Sequence, residues 1–147
     1  MDNCPLCLAG NEQLIWENGL VRVINANEPD YPCYTRVIWQ QHVKEMSDLP
    51  ESQQLAFMRY VFCVESVQRD ILAPEKINLA QFGNMVPHLH WHIIPRYKND
   101  RHFPGSTWSP PHFEQANAPA QYQTWLASLN SLKPTYHQAL AQALAQL

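Results

Sequence analysis

The chain has 147 residues, 46% hydrophobic and 16% charged, with a formal net charge of −3. That length and composition fit one folded domain with a real core, and they argue against a disordered chain. No Lys/Arg cluster and no apolar run near the roughly 20 residues of a membrane span is present, so neither polymeric nucleic acid nor a bilayer is expected as a partner.

The N-terminus, Met1-Asp2-Asn3-Cys4-Pro5, lacks the basic and apolar regions of a signal peptide, which predicts a cytoplasmic protein. In that compartment four cysteines point to thiols or a metal site rather than disulfides. Leu14-Ile15-Trp16 and Leu20-Val21-Arg22-Val23-Ile24 flank Asn18-Gly19, the strongest short hairpin signal, because both turn residues are expected at positive φ. Asn25 to Pro32 reads as a loop, in which Asn25 or Asn27 could bond a ribose or simply shape the turn. Thr35-Arg36-Val37-Ile38-Trp39 is a third strand.

Asp48, with Glu51 three residues on and proline in the first turn, reads as a capping box. The helix it opens runs to Ala73, where Pro74 stops it. Leu55, Met58, Val61, Phe62 and Ile71 are its expected core-facing stripe. Strands follow at Ile77–Gln81 and Leu89–Ile94, joined through Gly83-Asn84. Beyond Pro95 the chain turns irregular at Pro104, Gly105, Pro110, Pro111 and Pro119. Two helical patches are expected after it, about Gln121–Leu132 and Tyr136–Leu147. The sum is an α+β fold: a mainly antiparallel five-stranded sheet with one long helix packed across it. Residues 1–110 form the domain proper, and residues 111–147 a C-terminal helical extension of the same domain.

His88-Leu89-His90-Trp91-His92-Ile93-Ile94 carries the chemistry. Alternation puts the three imidazoles in one row on a strand, about 6.6–6.8 Å per step, with Leu89, Trp91 and Ile93 facing a core. One such histidine would be an ordinary strand residue. Three at strict period two are a device for acid–base, nucleophilic or metal chemistry. Phosphoryl and nucleotidyl transfer need a nucleophile, donors to the phosphate oxygens and a proton source. His90, in the centre, is the nucleophile by position, provided its other nitrogen keeps a proton on a backbone carbonyl or similar acceptor. His88 and His90 could instead hold a catalytic zinc, which needs a third ligand and an open water position. Asn78 and Gln81, on the preceding strand, are candidate substrate contacts or ordinary edge residues.

This stretch resembles the motif of the histidine-triad nucleotide hydrolases and transferases, His-φ-His-φ-His-φ-φ with φ hydrophobic. Gly83-Asn84 and Pro95-Arg96 resemble the family too, and the likeness covers residues 1 to about 110. The resemblance implies a homodimer that binds a purine mononucleotide moiety and cleaves at its α-phosphorus. His90 would form a covalent nucleotidyl-histidine and His92 would donate to the α-phosphate or the bridging oxygen. Asn84 occupies the place of an amide side chain near the phosphate. The nucleoside pocket would be built from roughly Leu20 to Asn27. Family chemistry ranges over dinucleoside polyphosphate hydrolysis, adenosine phosphoramidate hydrolysis and nucleotidyl transfer. The chain is read as similar to the bacterial dinucleoside polyphosphate hydrolases. The galactose-1-phosphate uridylyltransferase relatives are longer and carry glutamine in place of the last histidine, so His92 argues against that branch.

Cys4-Pro5-Leu6-Cys7 is a pair of thiols spaced for one metal ion. A redox pair is the alternative, disfavoured because the motif sits in a tail and not at a strand-to-helix turn. A subset of histidine-triad proteins completes such a pair with a histidine after the third strand and the first triad histidine. Here these are His42 and His88, so the resemblance implies a structural zinc on Cys4, Cys7, His42 and His88, fixing the strand beside His90. No organic cofactor is implied. Cys33 and Cys63 read as a loop thiol and a buried helix residue.

One histidine of the family pattern is missing. Counting back from His42, its position falls at Tyr34, in Cys33-Tyr34-Thr35-Arg36. A polar relay behind the nucleophile therefore uses Tyr34 or Thr35, or is absent. A nucleotide-binding adaptor with vestigial activity is the alternative that this gap motivates. His102, His112 and Trp108 fall in the proline-rich segment, where Trp108 is either a lid over the site or simple packing. His137 is expected on the surface.

Overall fold

A computed structural model describes residues 3–147. Strands β1 (Gln13–Glu17), β2 (Val21–Asn25), β3 (Thr35–Trp39), β4 (Lys76–Ala80) and β5 (His90–Arg96) form one antiparallel sheet in the order β1-β2-β3-β5-β4. Helix α1 (Glu51–Leu72) crosses one face over β3, β5 and β4, and α2 (Ala120–Ala145) lies beside α1 and reaches β1. This is the expected sheet, crossing helix and C-terminal helix. Alternation along the strands sorts the two faces. Val21, Val23, Val37, Trp39, Leu89 and Ile93 bury against the helices. Arg22, Ile24, Arg36, Ile38, His90 and His92 share the opposite face, through the pairings Arg22↔Ile38, Ile24↔Arg36, Arg36↔His92 and Ile38↔His90.

Helix α1 is rotated relative to the expected stripe. Its buried residues are Phe57, Val61, Val64, Gln68 and Leu72, whereas Leu55 is 63% and Phe62 50% exposed. Met58 and Ile71 lie at the margin of the core, and of the expected five only Val61 is fully buried. The cause is Gln68, a polar residue at the centre of the contact. Its Nε2 donates to the Cys33 and Ile93 carbonyls at 3.2 and 3.1 Å and to the Tyr136 hydroxyl at 3.1 Å. These bonds offset the burial of the amide NH2, while its Oε1 stays buried without a partner, and the apolar pattern alone points to the wrong side.

Three local expectations are also corrected. Asp48 ends a 3₁₀ turn (Met46–Asp48) and accepts from the Glu45 amide at 3.1 Å, so Pro50, not Asp48, precedes the first turn of α1. The β1–β2 hairpin forms, but neither Asn18 nor Gly19 has positive φ. Instead the Asn18 Oδ1 accepts from the Leu20 and Val21 amides, both at 2.9 Å, which shapes the turn by side chain rather than by backbone handedness. The two C-terminal patches are one helix running through Pro134. Leu129, Tyr136, Leu140 and Leu144 bury on one face on both sides of the proline, and that packing offsets the roughly 3 kcal/mol a proline costs inside a helix. The end of α1 is as expected: Ala73 takes the left-handed conformation (φ 45°) before Pro74.

Two other readings move inward. His137 is half-buried, its Nε2 3.3 Å from the Asn25 amide nitrogen and its ring against Tyr136. Cys33 is fully buried in the core, and burial pushes its thiol up to about 12. Cys63 is only partly buried.

Candidate active site

β5 presents His90 and His92 on one face, with His88 two residues before His90, and the groups around them assign a proton to each ring. His90 Nδ1 lies 2.6 Å from the carbonyl oxygen of His88. A carbonyl only accepts, so Nδ1 carries the hydrogen and the Nε2 lone pair is left for a reaction partner. His88 is held the other way round: its Nε2–H donates to the Trp39 carbonyl at 2.6 Å, which frees Nδ1. His92 Nδ1 meets the Tyr34 hydroxyl at 2.5 Å. The phenol is the better donor of the two, so His92 Nδ1 accepts and its Nε2 carries the proton.

Burial keeps these rings neutral. It lowers the pKa of His88 and of His90, where the Arg36 charge adds to the effect and the bond to the His88 carbonyl opposes it. For His92, burial, then the charges of His90 and Arg36, bring it down to about 3. Tyr34 is pushed up to about 12, chiefly by burial, and so keeps its proton. The His90 and His92 ring centres are 4.8 Å apart, edge to face.

The His88 nitrogen freed by Trp39 faces sulfur. Cys4 and Cys7 Sγ lie 3.5 and 3.4 Å from His88 Nδ1, and Cys7 Sγ lies 3.2 Å from His42 Nδ1. The four donor atoms fall within 4.8 Å of one another. A tetrahedral zinc with metal–sulfur bonds of about 2.3 Å and metal–nitrogen bonds of about 2.0–2.1 Å requires sulfur–nitrogen edges of about 3.6 Å, so the quartet fits such an ion in donor type and size. The arm that brings the thiols is tied down independently, since Arg22 donates to the Leu6 carbonyl and pairs with Glu12 at 2.7 Å.

Before His90 and His92 opens a cavity of about 660 Å³. The arm contributes Leu6, the segment before β3 contributes Glu28, Asp30 and Tyr31, and the β4–β5 connection contributes Phe82, Asn84 and Met85. Gly83, at φ 80°, takes a conformation other residues rarely adopt and turns the chain so that Asn84 stands at the rim. Trp108 roofs the site, edge-on to Phe82 at 4.8 Å and to His92 at 5.6 Å. Its loop is anchored by Asp100, which takes two hydrogen bonds from Arg96 (2.9 and 3.1 Å) and one each from the Tyr97, His102 and Phe103 amides. Burial raises the Asp100 pKa, but Arg96 and the amide donors outweigh it and hold the carboxyl below its usual value.

Residues 9–99, more than half the chain, match the HIT domain family. The chain belongs to the HIT family. Among solved structures, it is similar to a histidine triad protein from Marinobacter aquaeolei, with a TM-score of 0.66 and 26% identity over 91% of this chain and 94% of that one. A histidine triad protein from Bradyrhizobium japonicum gives 0.61 and 27%, over 81% and 90%. A zinc-bound histidine triad family protein from Mycobacterium smegmatis shares the fold at 0.65 and 18%, over 99% of both chains. No curated protein matches the sequence.

On this HIT scaffold the structure gathers His90, His92 and Asn84 around the cavity, and Cys4, Cys7, His42 and His88 at its back. Three expected substrate contacts stand elsewhere. Asn78 accepts from Arg96 at 2.8 Å and so braces the Trp108 loop. Gln81 sits behind Gly83, where its Nε2 is buried without a partner. Asn27 is exposed at φ 58°, outside the cavity lining, its amide bonded to the Asn25 side chain at 2.6 Å. Asn25 itself is buried, donating to the Pro32 carbonyl, so this asparagine pair shapes a turn. Of the two relay candidates, Tyr34 meets the triad, whereas Thr35 points to the helix side and bonds the Tyr136 hydroxyl at 2.6 Å. Trp108 is the roof rather than packing, and His102 reaches the cavity with Tyr31. Arg36 was not anticipated. The signal was there, because an arginine inside an apolar strand at even spacing from Tyr34 and Ile38 shares their face.

Proposed function

We propose that this HIT protein is a nucleotide hydrolase or nucleotidyl transferase acting at the α-phosphorus of a purine nucleotide conjugate, such as a dinucleoside polyphosphate or a nucleoside phosphoramidate. The observation that carries the reading is the His90 Nδ1–H bond to the His88 carbonyl, which leaves a neutral Nε2 lone pair facing the cavity. In the first step Nε2 bonds to phosphorus as the bond to the leaving group breaks, and the leaving group takes up a proton. In the second, water attacks the nucleotidyl-histidine, the N–P bond breaks, and the nucleoside monophosphate departs with His90 neutral again. His92 donates through Nε2–H to the phosphoryl oxygen, and Asn84 offers its amide at the rim.

Cys4, Cys7, His42 and His88 would hold a structural zinc. When bound, the ion supplies a rigid clamp. It fixes His88, whose carbonyl sets the tautomer of His90, so the ligands act on the nucleophile through one residue. Thiols kept for a metal suit a reducing compartment, in line with a cytoplasmic protein. No helix is long and apolar enough to cross a membrane among the described residues. A homodimer belongs to the same reading: β4 is an edge strand, and Leu55 and Phe62 of α1 are exposed. Sedimentation at micromolar concentration should give twice the chain mass.

The deciding experiment compares wild type with His90→Ala on diadenosine polyphosphates, adenosine phosphoramidates and nucleotide sugars. Turnover should fall by several orders of magnitude with mononucleotide affinity largely kept, because the loss lies in the transition state. Rapid acid-free quenching should trap a nucleotidyl adduct on wild type alone. Nucleotide binding without any turnover in wild type would assign the protein instead to nucleotide-binding adaptors. Activity that survives His90→Ala but is lost on chelation would assign it to zinc-water hydrolases.

A further inference from the structure

Arg36 is the cation of this cavity that no carboxylate claims. It stands on β3 in register with His92 and lines the cavity beside His90 and His92. Its guanidinium carbon lies 5.6 Å from the centre of the Tyr34 ring, whose hydroxyl bonds His92. Every ion pair among the described residues belongs to another arginine: Arg22 with Glu12, Arg96 with Asp100, Arg101 with Asp30. The Arg36 Nε is buried without a hydrogen-bond partner. Of the carboxylates lining the cavity, Asp30 is taken by Arg101, Tyr122 and Gln115, and Glu28 is exposed and makes no pair with Arg36.

A partly buried guanidinium is retained where something anionic repays its desolvation. Its planar fork of donors matches the oxygens of a phosphate, and it is always charged. The α-phosphate of a bound nucleotide is already provided for by His90, His92 and Asn84. Arg36 lies one strand across from His92, about 4.8 Å in the sheet plane, which is the reach of an adjoining phosphate. Resting on the proposed reaction, we infer that Arg36 forms a second phosphate subsite and gives the protein a preference for phosphoanhydride substrates, in which the attacked phosphorus carries another phosphate, over phosphoramidates and simple monoesters.

The test is equilibrium binding of adenosine, AMP, ADP and inorganic pyrophosphate to wild type, Arg36→Met and Arg36→Lys, each checked for fold by near-ultraviolet dichroism. Arg36→Met should weaken ADP and pyrophosphate about ten- to hundred-fold, the worth of a charged hydrogen bond, and AMP far less. Adenosine should be unchanged. Arg36→Lys keeps the charge without the fork, is expected to fold even if the methionine variant does not, and should restore part of the ADP preference. An equal loss for adenosine and ADP would overturn the subsite and give Arg36 to the base. Unchanged ADP affinity in either variant, with wild-type nucleotide binding intact, would overturn it too. Wild type that binds pyrophosphate through Arg36 but no nucleotide would keep the subsite and remove the nucleotide reading, so the two failures are told apart.

Discussion

Replacing Tyr34 by phenylalanine removes one oxygen and tests the proton assignment of the whole row. The lost contact is the 2.5 Å bond from the buried hydroxyl to His92 Nδ1. Nothing else is bonded to that nitrogen, so the variant leaves a buried acceptor bare, at a cost of about 1–3 kcal/mol. For a chain of this size each kcal/mol is worth roughly 2–4 °C of Tm, so a fall of a few degrees is expected. The catalytic effect has two bounds. Losing only the bias toward the Nε2–H tautomer, worth about 1.4 kcal/mol, slows the step roughly tenfold. Losing the donor outright costs about 10²–10³-fold, as for one oxyanion-hole donor. A kcat lowered about 10- to 100-fold, with KM within about threefold, is therefore expected in steady-state assays on the best nucleotide substrate. Thr35→Val, one residue away but facing α2, should leave kcat within about twofold, since Thr35 bonds Tyr136 and Cys33 and not the triad. Nitrogen-15 NMR of wild type should find His92 protonated at Nε2. Protonation at Nδ1, or an unchanged kcat in Tyr34→Phe, would refute the argument.

The metal quartet predicts about one zinc per chain by elemental analysis of protein purified without chelator, and Cys4→Ser should lose the metal and several kcal/mol of stability; protein that is metal-free yet equally stable would dismiss the clamp. Phe57, fully buried with its ring 5.3 Å from Trp39, should cost about 3–5 kcal/mol on replacement by alanine, while Phe62→Ala, half-exposed, should cost far less in the same denaturant titration. A larger loss for Phe62→Ala than for Phe57→Ala would mean that α1 is turned the other way. Burial lowers the pKa of His137, so the unfolded chain takes up its proton near pH 6.5 while the folded one resists. Its contribution to stability is thus full above about pH 6.5 and is lost as the pH falls below that value. His137→Gln should flatten the fall in denaturation midpoint between pH 7.5 and 5 relative to wild type, and parallel curves would rule this out.

Period-two alternation placed His90 and His92 on one face without any structure, because the pleat leaves a side chain no other choice, while His88 falls just before the first residue of β5. β3 and the end of α1 were equally legible, one from a run of β-branched and aromatic residues, the other from Pro74. The stripe on α1 was not, since the helix is apolar on more than one side and its most enclosed polar residue, Gln68, makes sense only beside Cys33, Ile93 and Tyr136. α2 defeated the local rule for a similar reason. A proline breaks an isolated helix, but Leu129 and Tyr136 pack on α1 and the core from both sides of Pro134.

By itself, then, the sequence determined which chemistry is on offer: three imidazoles in a row, a thiol pair, a glycine turn that presents Asn84. These follow from bonds and dihedrals within a few residues. Which nitrogen of each ring is free was decided only by the fold, because the tautomers depend on Trp39, on Tyr34 and on the His88 carbonyl in its strand conformation. Tyr34 and His92 are 58 residues apart, Cys4 and His88 are 84 apart. No local pattern encodes such distances. They are set when the antiparallel pairing of β3 with β5 brings Arg36 opposite His92, and the same pairing puts a guanidinium that belongs to no ion pair among the described residues beside the two imidazoles in the cavity.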